Sequence, residues 1–244
     1  TGQTNFLVLL LFLLYWRDRD RPRAGLWLLL ASFVKPFMAA LLLYVVARRQ
    51  WPVVRGLLVA GLAACAASIV VFGWDIFISY FTDSPLSNYG TYRLTMPFNQ
   101  SMLATILRLT QFDFASGSAF THPLFLISAG LLVSVTLWLI VRLGAVEPDW
   151  TLALLMPLAL LIYPHSLQYY GVLLVPVFLL LWSARDRLPG GVWSVVGLLT
   201  IIYGLTAYRP ESYNFVAMIV IWFTLVFILL YWRYPTMSGL RSTT

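Results

Sequence analysis

Long apolar segments constrain this chain more than any other feature. A helix needs about 20 apolar residues to cross roughly 30 Å of hydrocarbon, and four segments approach that length: residues 53–72, 123–141, 192–208 and 215–232. Only 10% of the residues are charged and 61% are hydrophobic, whereas about a quarter are charged in soluble domains. This composition excludes a water-soluble globule. It predicts one all-α, polytopic transmembrane helical bundle over residues 1–244, with residues 6–16 as the end of a further span.

The basic residues indicate topology and do not indicate nucleic acid binding. The net charge is +7, but the arginines lie in short clusters between apolar segments and form no basic patch interleaved with aromatic residues. Cytoplasmic loops of membrane proteins carry an excess of Lys and Arg. We therefore expect most of these clusters to be cytoplasmic, and residues 73–122 to form a loop on the extracytoplasmic side.

Residues 24–47 are long enough for one crossing, but Lys35 and Pro36 lie at the centre of this segment. A charge there costs about 2.5 to 3.5 kcal/mol on insertion scales, and a single crossing would separate two basic clusters (Arg17, Arg19, Arg21 and Arg23; Arg48, Arg49 and Arg55). We predict instead two short helices, 26–33 and 37–46, that meet at Lys35-Pro36. Both clusters are then cytoplasmic and Lys35 lies toward the outer side, where it contacts an anion such as a phosphate or extends its stem to the interface.

Two polar segments break the apolar pattern further along the chain. Asn99-Gln100-Ser101 precedes an apolar helical pattern, so we predict an interfacial helix capped near Asn99 or Ser101, with Arg93 before it as a candidate cation. Asn99-Gln100-Ser101 is also a glycosylation sequon, although capping or substrate contact is the preferred interpretation.

The second break is Tyr163-Pro164-His165, followed by Gln168, Tyr169 and Tyr170. Non-helical backbone at membrane depth is tolerated only where it lines a cavity or is buried in protein. We expect His165 to face substrate as a phosphate donor or proton carrier. The alternative is an ordinary hydrogen-bonded histidine.

Two further patterns bear on packing and metal binding. Gly56, Ala60, Ala64 and Ser68 recur every four residues, which predicts a close contact between helices, and Cys65 beside them is expected to be a small packing residue. The sequence contains no phosphate-binding loop and no paired-cysteine spacing, so we expect no nucleotide cofactor and no structural metal.

The order of these motifs resembles a known family. Gly2-Gln3-x-Asn5, Lys35-Pro36 with Arg48-Arg49-x-Trp51, Asn99-x-Ser101 and His165-x-x-x-Tyr169-Tyr170 together resemble the bacterial polyprenyl-phosphate-mannose-dependent alpha-mannosyltransferases, GT-C-type membrane enzymes of glycosyltransferase family 87. The resemblance implies transfer of mannose from a polyprenyl phosphate carrier to a glycolipid or glycan acceptor on the extracytoplasmic side of the cell membrane. It requires no cofactor, and the divalent-metal requirement stays open.

The resemblance also assigns candidate roles to individual residues. The residues expected to bind substrate or phosphate are Lys35, His165, Arg93, Gln3, Asn5, Asn99, Ser101, Gln168 and Tyr169. The catalytic acid of such enzymes lies in an early external loop, and no residue here matches it, so we expect it upstream of Thr1 and expect no turnover from this segment alone. The alternative function is a lipid-linked-sugar flippase or another transporter, which would also need cations in broken helices.

Overall fold

The computed structural model describes residues 3–82, 94, 96, 99–111, 119–188, 190–206 and 213–233. Only the backbone is described for residues 3, 80, 81, 168, 169, 199–206, 213, 214, 232 and 233. Helices account for the regular structure of this part of the chain, apart from one isolated bridge between Asn99 and Leu167. The predicted all-α class is therefore confirmed. The chain separates into two compact units, Thr1–Met96 and Pro97–Thr244, and each is described by itself.

Unit 1 contains the predicted break. Its helices are α1 (Gln3–Asp18), α2 (Arg23–Val34), α3 (Leu41–Ala47), α4 (Trp51–Phe72) and α5 (Trp74–Thr82), with a 3-10 turn at Pro36–Ala40 between α2 and α3. The predicted helices 26–33 and 37–46 thus exist as two short pieces separated at Lys35.

Unit 2 consists of short and long helices packed around one buried apolar helix. They are α6 (Met102–Leu109), α7 (Pro123–Leu143), α8 (Pro148–Ala153), α9 (Leu155–Ile162), α10 (Val175–Ser183), α11 (Gly190–Thr206) and α12 (Tyr213–Arg233). Every residue from Leu155 to Leu161 in α9 is buried. Helices α7 and α12 are joined by a buried hydrogen bond in which Trp222 Nε1 donates to Thr136 Oγ1 at 3.1 Å.

Prolines decide where the helices break. The residue before a proline is pushed out of the helical region because the ring collides with its backbone. Lys35 accordingly has φ −144° and ψ 107°, and Tyr163 has φ −65° and ψ 120°. Within the segment 148–162, Pro157 has no N–H to donate to the carbonyl of Ala153, four residues earlier, and α8 ends at Ala153.

Helices α2 and α4 run side by side in the same direction, because their starts touch at two glycines and Phe33, near the end of α2, lines the same cavity as Ala64 and Ser68, further along α4. A Cβ on Gly56 would collide with the backbone of Pro22, and a Cβ on Gly25 would collide with the backbone of Val53 and Leu57. The starts of the two helices are therefore in contact, so the chain must reverse between them at Lys35–Ala40. This close approach confirms the packing role predicted for Gly56.

The two basic loops of unit 1 lie at the same end of the helices. Gln50 Nε2, in the loop before α4, donates to Asp20 Oδ1 in the loop after α1 at 3.3 Å. This contact confirms that the segment between the loops turns back and does not carry them to opposite ends. Which side of the membrane the loops face stays a prediction.

A buried carboxylate fixes the turn between α1 and α2. Asp18 is 1% exposed and accepts hydrogen bonds from Arg17 Nη2 at 3.1 Å, Arg23 Nη2 at 2.7 Å and Trp27 Nε1 at 3.1 Å. The Arg17 hydrogen bond, followed by those of Arg23 and Trp27, holds the pKa of this carboxyl well below its usual range, against the opposing effect of burial. Asp18 is thus ionised and neutralised locally.

The long helices expose apolar side chains over most of their surface. Leu62 and Val70 of α4 are 72% and 84% exposed, an arrangement that suits lipid and is unfavourable in water. Helices α4 and α7 are both long and apolar enough to cross a membrane. Helices α11 and α12 confirm the two later apolar segments as helices, while the multi-pass arrangement of the whole chain stays a prediction.

Candidate functional site

Lys35 is held at the break between α2 and the 3-10 turn by its own backbone. Its N–H donates to the carbonyl of Ala31 at 2.8 Å, and its carbonyl accepts from the N–H of Met38 at 3.0 Å. The side chain is half-buried, and it is the single lysine in the sequence. The break thus fixes the backbone that carries the one lysine of the sequence.

Lys35 lies far from the basic end of the helices. The 12 residues of α2 span about 18 Å at 1.5 Å per residue. Asn5, on α1, lies a similar number of residues from the basic end. Asn5 and Lys35 are therefore at nearly the same distance from that end, measured along the helices. Asn5 is 2% exposed.

An apolar cavity lies beside the end of α2. Its volume is about 470 Å³ and its lining residues are Phe33, Ala64, Cys65, Ser68, Phe72, Ile76 and Phe77. Phe33 precedes Lys35 by two residues. Cys65, predicted as a packing residue, is exposed on α4 and lines this cavity. A hydrocarbon chain fits such a lining, because most of the exposed surface is apolar.

The structure brings together the two polar segments of unit 2. Asn99 Nδ2 donates to the carbonyl of Pro164 at 2.7 Å, and Ser101 Oγ donates to the same carbonyl at 3.0 Å. The N–H of Gln100 donates to the carbonyl of Ser166 at 2.7 Å. Gln100 Nε2 donates to the carbonyl of Leu167 at 3.1 Å. We call residues 99–101 the NQS loop and residues 163–167 the hinge.

His165 is half-buried at the middle of the hinge. Its ring meets the ring of Tyr163 edge-on, with the centroids 6.2 Å apart. The carbonyls of Pro164, Ser166 and Leu167, on both sides of His165, accept hydrogen bonds from the NQS loop. The predicted break is confirmed, and its histidine is carried by a backbone held at several points.

Ser101 caps α6 as predicted. Its Oγ accepts from the N–H of Ala104 at 3.1 Å, which satisfies one of the orphan donors at the helix start. Five residues of α6 are buried (Met102, Leu103, Ala104, Thr105 and Leu107), so protein packs around most of this helix, whereas the prediction had it lying on the membrane surface. Its height relative to the membrane stays a prediction.

Asn99 cannot carry a glycan in this fold. Its side chain is 0% exposed, and its amide nitrogen is engaged with Pro164. The sequence match at residues 99–101 therefore reflects a structural role of these side chains and not a glycosylation site. Asn99 and Ser101 support the hinge and the helix start, and both are buried.

Two residues of this cluster were not singled out from the sequence. Gln100 supplies two of the donors to the hinge, and Arg108 Nη1 donates to the carbonyl of Asn99 at 3.0 Å. Burial lowers the pKa of Arg108. Arg108 could have been identified in the sequence from its spacing. It follows the helix cap by seven residues, which places its guanidinium two turns along α6 from the cap.

The remaining candidates are described only in part. Gln3 lies in α1, and Gln168 and Tyr169 lie in a 3-10 segment at Gln168–Leu174, but the side chains of these three lie outside the described residues, as does all of Arg93. Among the described residues, no group of three or more His, Cys, Asp or Glu side chains could hold a metal ion. Lys35 belongs to unit 1, and the NQS loop and hinge belong to unit 2.

The helices with apolar outer faces and the breaks that fix polar residues within them define a helical membrane protein. The sequence model of glycosyltransferase family 87 matches residues 1–164, well over half of the chain, and the chain belongs to this family. It is therefore a membrane glycosyltransferase. The match includes Lys35 and the NQS loop and ends immediately before His165. No curated protein and no solved structure matches the chain.

Proposed function

We propose that this membrane glycosyltransferase transfers mannose from a polyprenyl phosphate carrier to a glycolipid or glycan acceptor on the extracytoplasmic side of the cell membrane. The observation that carries the proposal is Lys35, a half-buried cation fixed at a helix break in a chain of glycosyltransferase family 87. The family match favours sugar transfer over the flippase alternative.

The donor has two chemically different parts, and unit 1 offers a feature suited to each. The apolar cavity at Phe33 suits an isoprenoid chain. Lys35, two residues further on, suits the phosphate to which that chain is attached. A cation two residues along the chain from a hydrocarbon-lined cavity thus supports a lipid phosphate as donor over a soluble nucleotide sugar.

The chemical role of these residues follows from the charge that develops during transfer. As the bond between the sugar and the carrier phosphate breaks, the phosphate leaves with additional negative charge. A fixed cation in a water-poor site stabilises that charge without having to reorganise. We assign this role to Lys35, with His165 as a hydrogen-bond donor to phosphate or a proton carrier.

The test compares three variants of the full-length protein reconstituted in lipid vesicles. Lys35→Met removes the charge and keeps the length of the stem, Lys35→Arg restores a cation, and Arg55→Gln, on the exposed face of α4, is the control. Transfer of radiolabelled mannose from polyprenyl-phosphate-mannose is measured at equal amounts of folded protein. We expect a loss of about 100- to 1,000-fold for Lys35→Met, partial activity for Lys35→Arg and native activity for Arg55→Gln.

Two results would contradict the proposal. Native transfer by Lys35→Met would show that this cation does not act on the donor. Transfer by the unaltered protein from a nucleotide sugar, with none from polyprenyl-phosphate-mannose, would show that the donor class is wrong.

A further inference from the structure

We propose that Asn99 and Gln100 are positioning residues for His165, acting through hydrogen bonds to the hinge backbone. The proposal rests on the function proposed above, since it assigns a means of orientation to the same site. The hydrogen bonds come from a loop about 65 residues earlier in the chain, so the placement of His165 depends on two distant segments of unit 2.

The first step of the argument is where the hydrogen bonds fall. Pro164 accepts from Asn99 Nδ2 at 2.7 Å, while Ser166 and Leu167 accept from Gln100 at 2.7 Å and 3.1 Å. The peptide group before His165 is therefore held by the NQS loop, and the peptide group after it is held inside the hinge, where the N–H of Ser166 donates to the carbonyl of Tyr163 at 3.2 Å. Rotation of either one would turn the imidazole, because the Cα–Cβ direction follows from the backbone that flanks it.

The second step is the shape of the hinge around His165. The hydrogen bond from the N–H of Ser166 to the carbonyl of Tyr163 makes Pro164 and His165 the two central residues of a turn. This turn leads directly into the antiparallel bridge between Leu167 and Asn99. Ser166 is 0% exposed, while His165 is half-exposed. The NQS loop thus holds the turn that carries the imidazole at the carbonyl of Pro164, and it holds the residues that follow the turn at the carbonyls of Ser166 and Leu167.

The third step is that hydrogen bonding of the Ser166 side chain does not favour its buried orientation. Its hydroxyl is buried and has no hydrogen-bond partner within the described part of unit 2. Burying a hydroxyl in this way is unfavourable. The orientation must therefore be imposed by other contacts, and the four hydrogen bonds from the NQS loop supply them.

The fourth step is that the NQS loop is itself fixed from behind. Arg108 Nη1 donates to the carbonyl of Asn99 at 3.0 Å, and Arg108 Nη2 donates to Thr105 Oγ1 at 3.2 Å. Thr105 Oγ1 in turn donates to the carbonyl of Ser101 at 3.0 Å. The loop is thus anchored to α6 as a rigid support, which is what a positioning role requires.

The experiment replaces donors by acceptors of nearly the same shape in the full-length protein. Gln100→Glu removes the donor to Leu167, and Asn99→Asp removes the donor to Pro164 while keeping the oxygen that accepts from the N–H of Ser101. Thr110→Val is the matched control, because Thr110 directly follows α6 and its Oγ1 donates to the carbonyl of Ile106, in the last turn of that helix, at 2.8 Å on the exposed side.

Three quantities are measured: kcat and KM for polyprenyl-phosphate-mannose, the melting temperature, and the NMR signals of ¹³C-labelled histidine rings, with that of His165 assigned from a His165→Gln variant. A small displacement of a reacting group costs about 100-fold in rate. We expect kcat to fall about 10- to 100-fold in both donor variants, with little change in KM and a shifted His165 signal. The Thr110→Val control should match the native protein in all three.

The outcomes separate this proposal from the one it rests on. A native kcat or an unshifted His165 signal in folded Gln100→Glu and Asn99→Asp overturns the positioning role. A native rate for His165→Gln removes His165 from the site, and the positioning role with it. Absence of mannose transfer by the unaltered protein refutes the proposed donor, and the ring signals then still decide whether the NQS loop orients His165.

Discussion

Gly56 and Gly61 lie on the same helix and provide a sharp test of the packing in unit 1. A Cβ on Gly56 would lie 2.7 Å from the carbonyl carbon of Pro22 and nearer still to its oxygen, whereas a Cβ on Gly61 would meet no heavy atom within 4 Å. Carbon atoms are at their optimum about 3.5 to 4.0 Å apart. The carbon contact alone requires a separation of about 1 Å, and the nearer oxygen requires more, so helices α2 and α4 must move apart by more than about 1 Å to accommodate Gly56→Ala.

The expected magnitude follows from two opposing effects. Overpacking costs typically 1 to 3 kcal/mol, and the upper value applies because the obstacle is backbone, which cannot rotate away. Alanine is better than glycine in a helix by about 1 kcal/mol. We therefore expect Gly56→Ala to lower the free energy of unfolding by about 2 kcal/mol, and Gly61→Ala to raise it by about 0.5 to 1 kcal/mol.

The assay is unfolding of the purified protein in mixed micelles, followed by tryptophan fluorescence as the fraction of SDS is raised. Gly25→Ala should cost a similar amount, because its Cβ would lie 2.6 Å from the carbonyl carbon of Gly56. The double variant of Gly25 and Gly56 should cost less than the sum of the two, since one separation of the helices relieves both collisions. Equal stability of Gly56→Ala and Gly61→Ala would refute the parallel contact of α2 and α4.

Three further predictions concern polar contacts. Replacing Asp18 by Asn should lower the melting temperature at pH 7, because its hydrogen bonds to Arg17 and Arg23 lose their charge. The depressed folded-state pKa of Asp18 implies that its contribution is complete above its unfolded pKa of about 3.9. It is lost as the pH falls below that value, and an Asp18→Asn melting temperature with the native acid dependence would contradict this. Thr136→Val should lower the free energy of unfolding in SDS by about 0.6 to 1 kcal/mol, as expected for an interhelical hydrogen bond. Added to Trp222→Phe it should cost nothing further, because Trp222 Nε1 donates to that hydroxyl; additive losses would count against the bond. Ser101→Ala should cost about 1 to 2 kcal/mol in the same assay, since the hydroxyl both caps α6 and donates to Pro164, and a loss no larger than that of Thr110→Val would show that neither contact matters.

Much of the local structure could be predicted because prolines and apolar length act locally. Lys35-Pro36 and Tyr163-Pro164 each marked a helix end, and the structure breaks at both, since the residue before a proline leaves the helical region whatever surrounds it. Ser101 was one of two predicted caps for the same reason: capping needs only a short polar side chain and the next turn of backbone.

The contacts between distant segments could not be predicted. Nothing local relates Gln100 to Ser166 and Leu167, although these residues share two hydrogen bonds in the structure. The arginines of the first basic loop were singled out from the sequence and Asp18 among them was not, yet Asp18 is buried and binds two of these arginines. A sequence shows which residues can donate or accept, whereas burial and partner depend on how the segments pack.

The sequence by itself thus determined the helical class, the membrane environment and the places where helices break, because these depend on the length of apolar segments and on the positions of prolines. The tertiary structure decided that α2 and α4 run in parallel with backbones in contact, that the two basic loops meet through Asp20 and Gln50, and that the NQS loop supports the hinge at His165. These features depend on close approach of backbones and on hydrogen bonds between segments far apart in the chain, and local preference does not specify either.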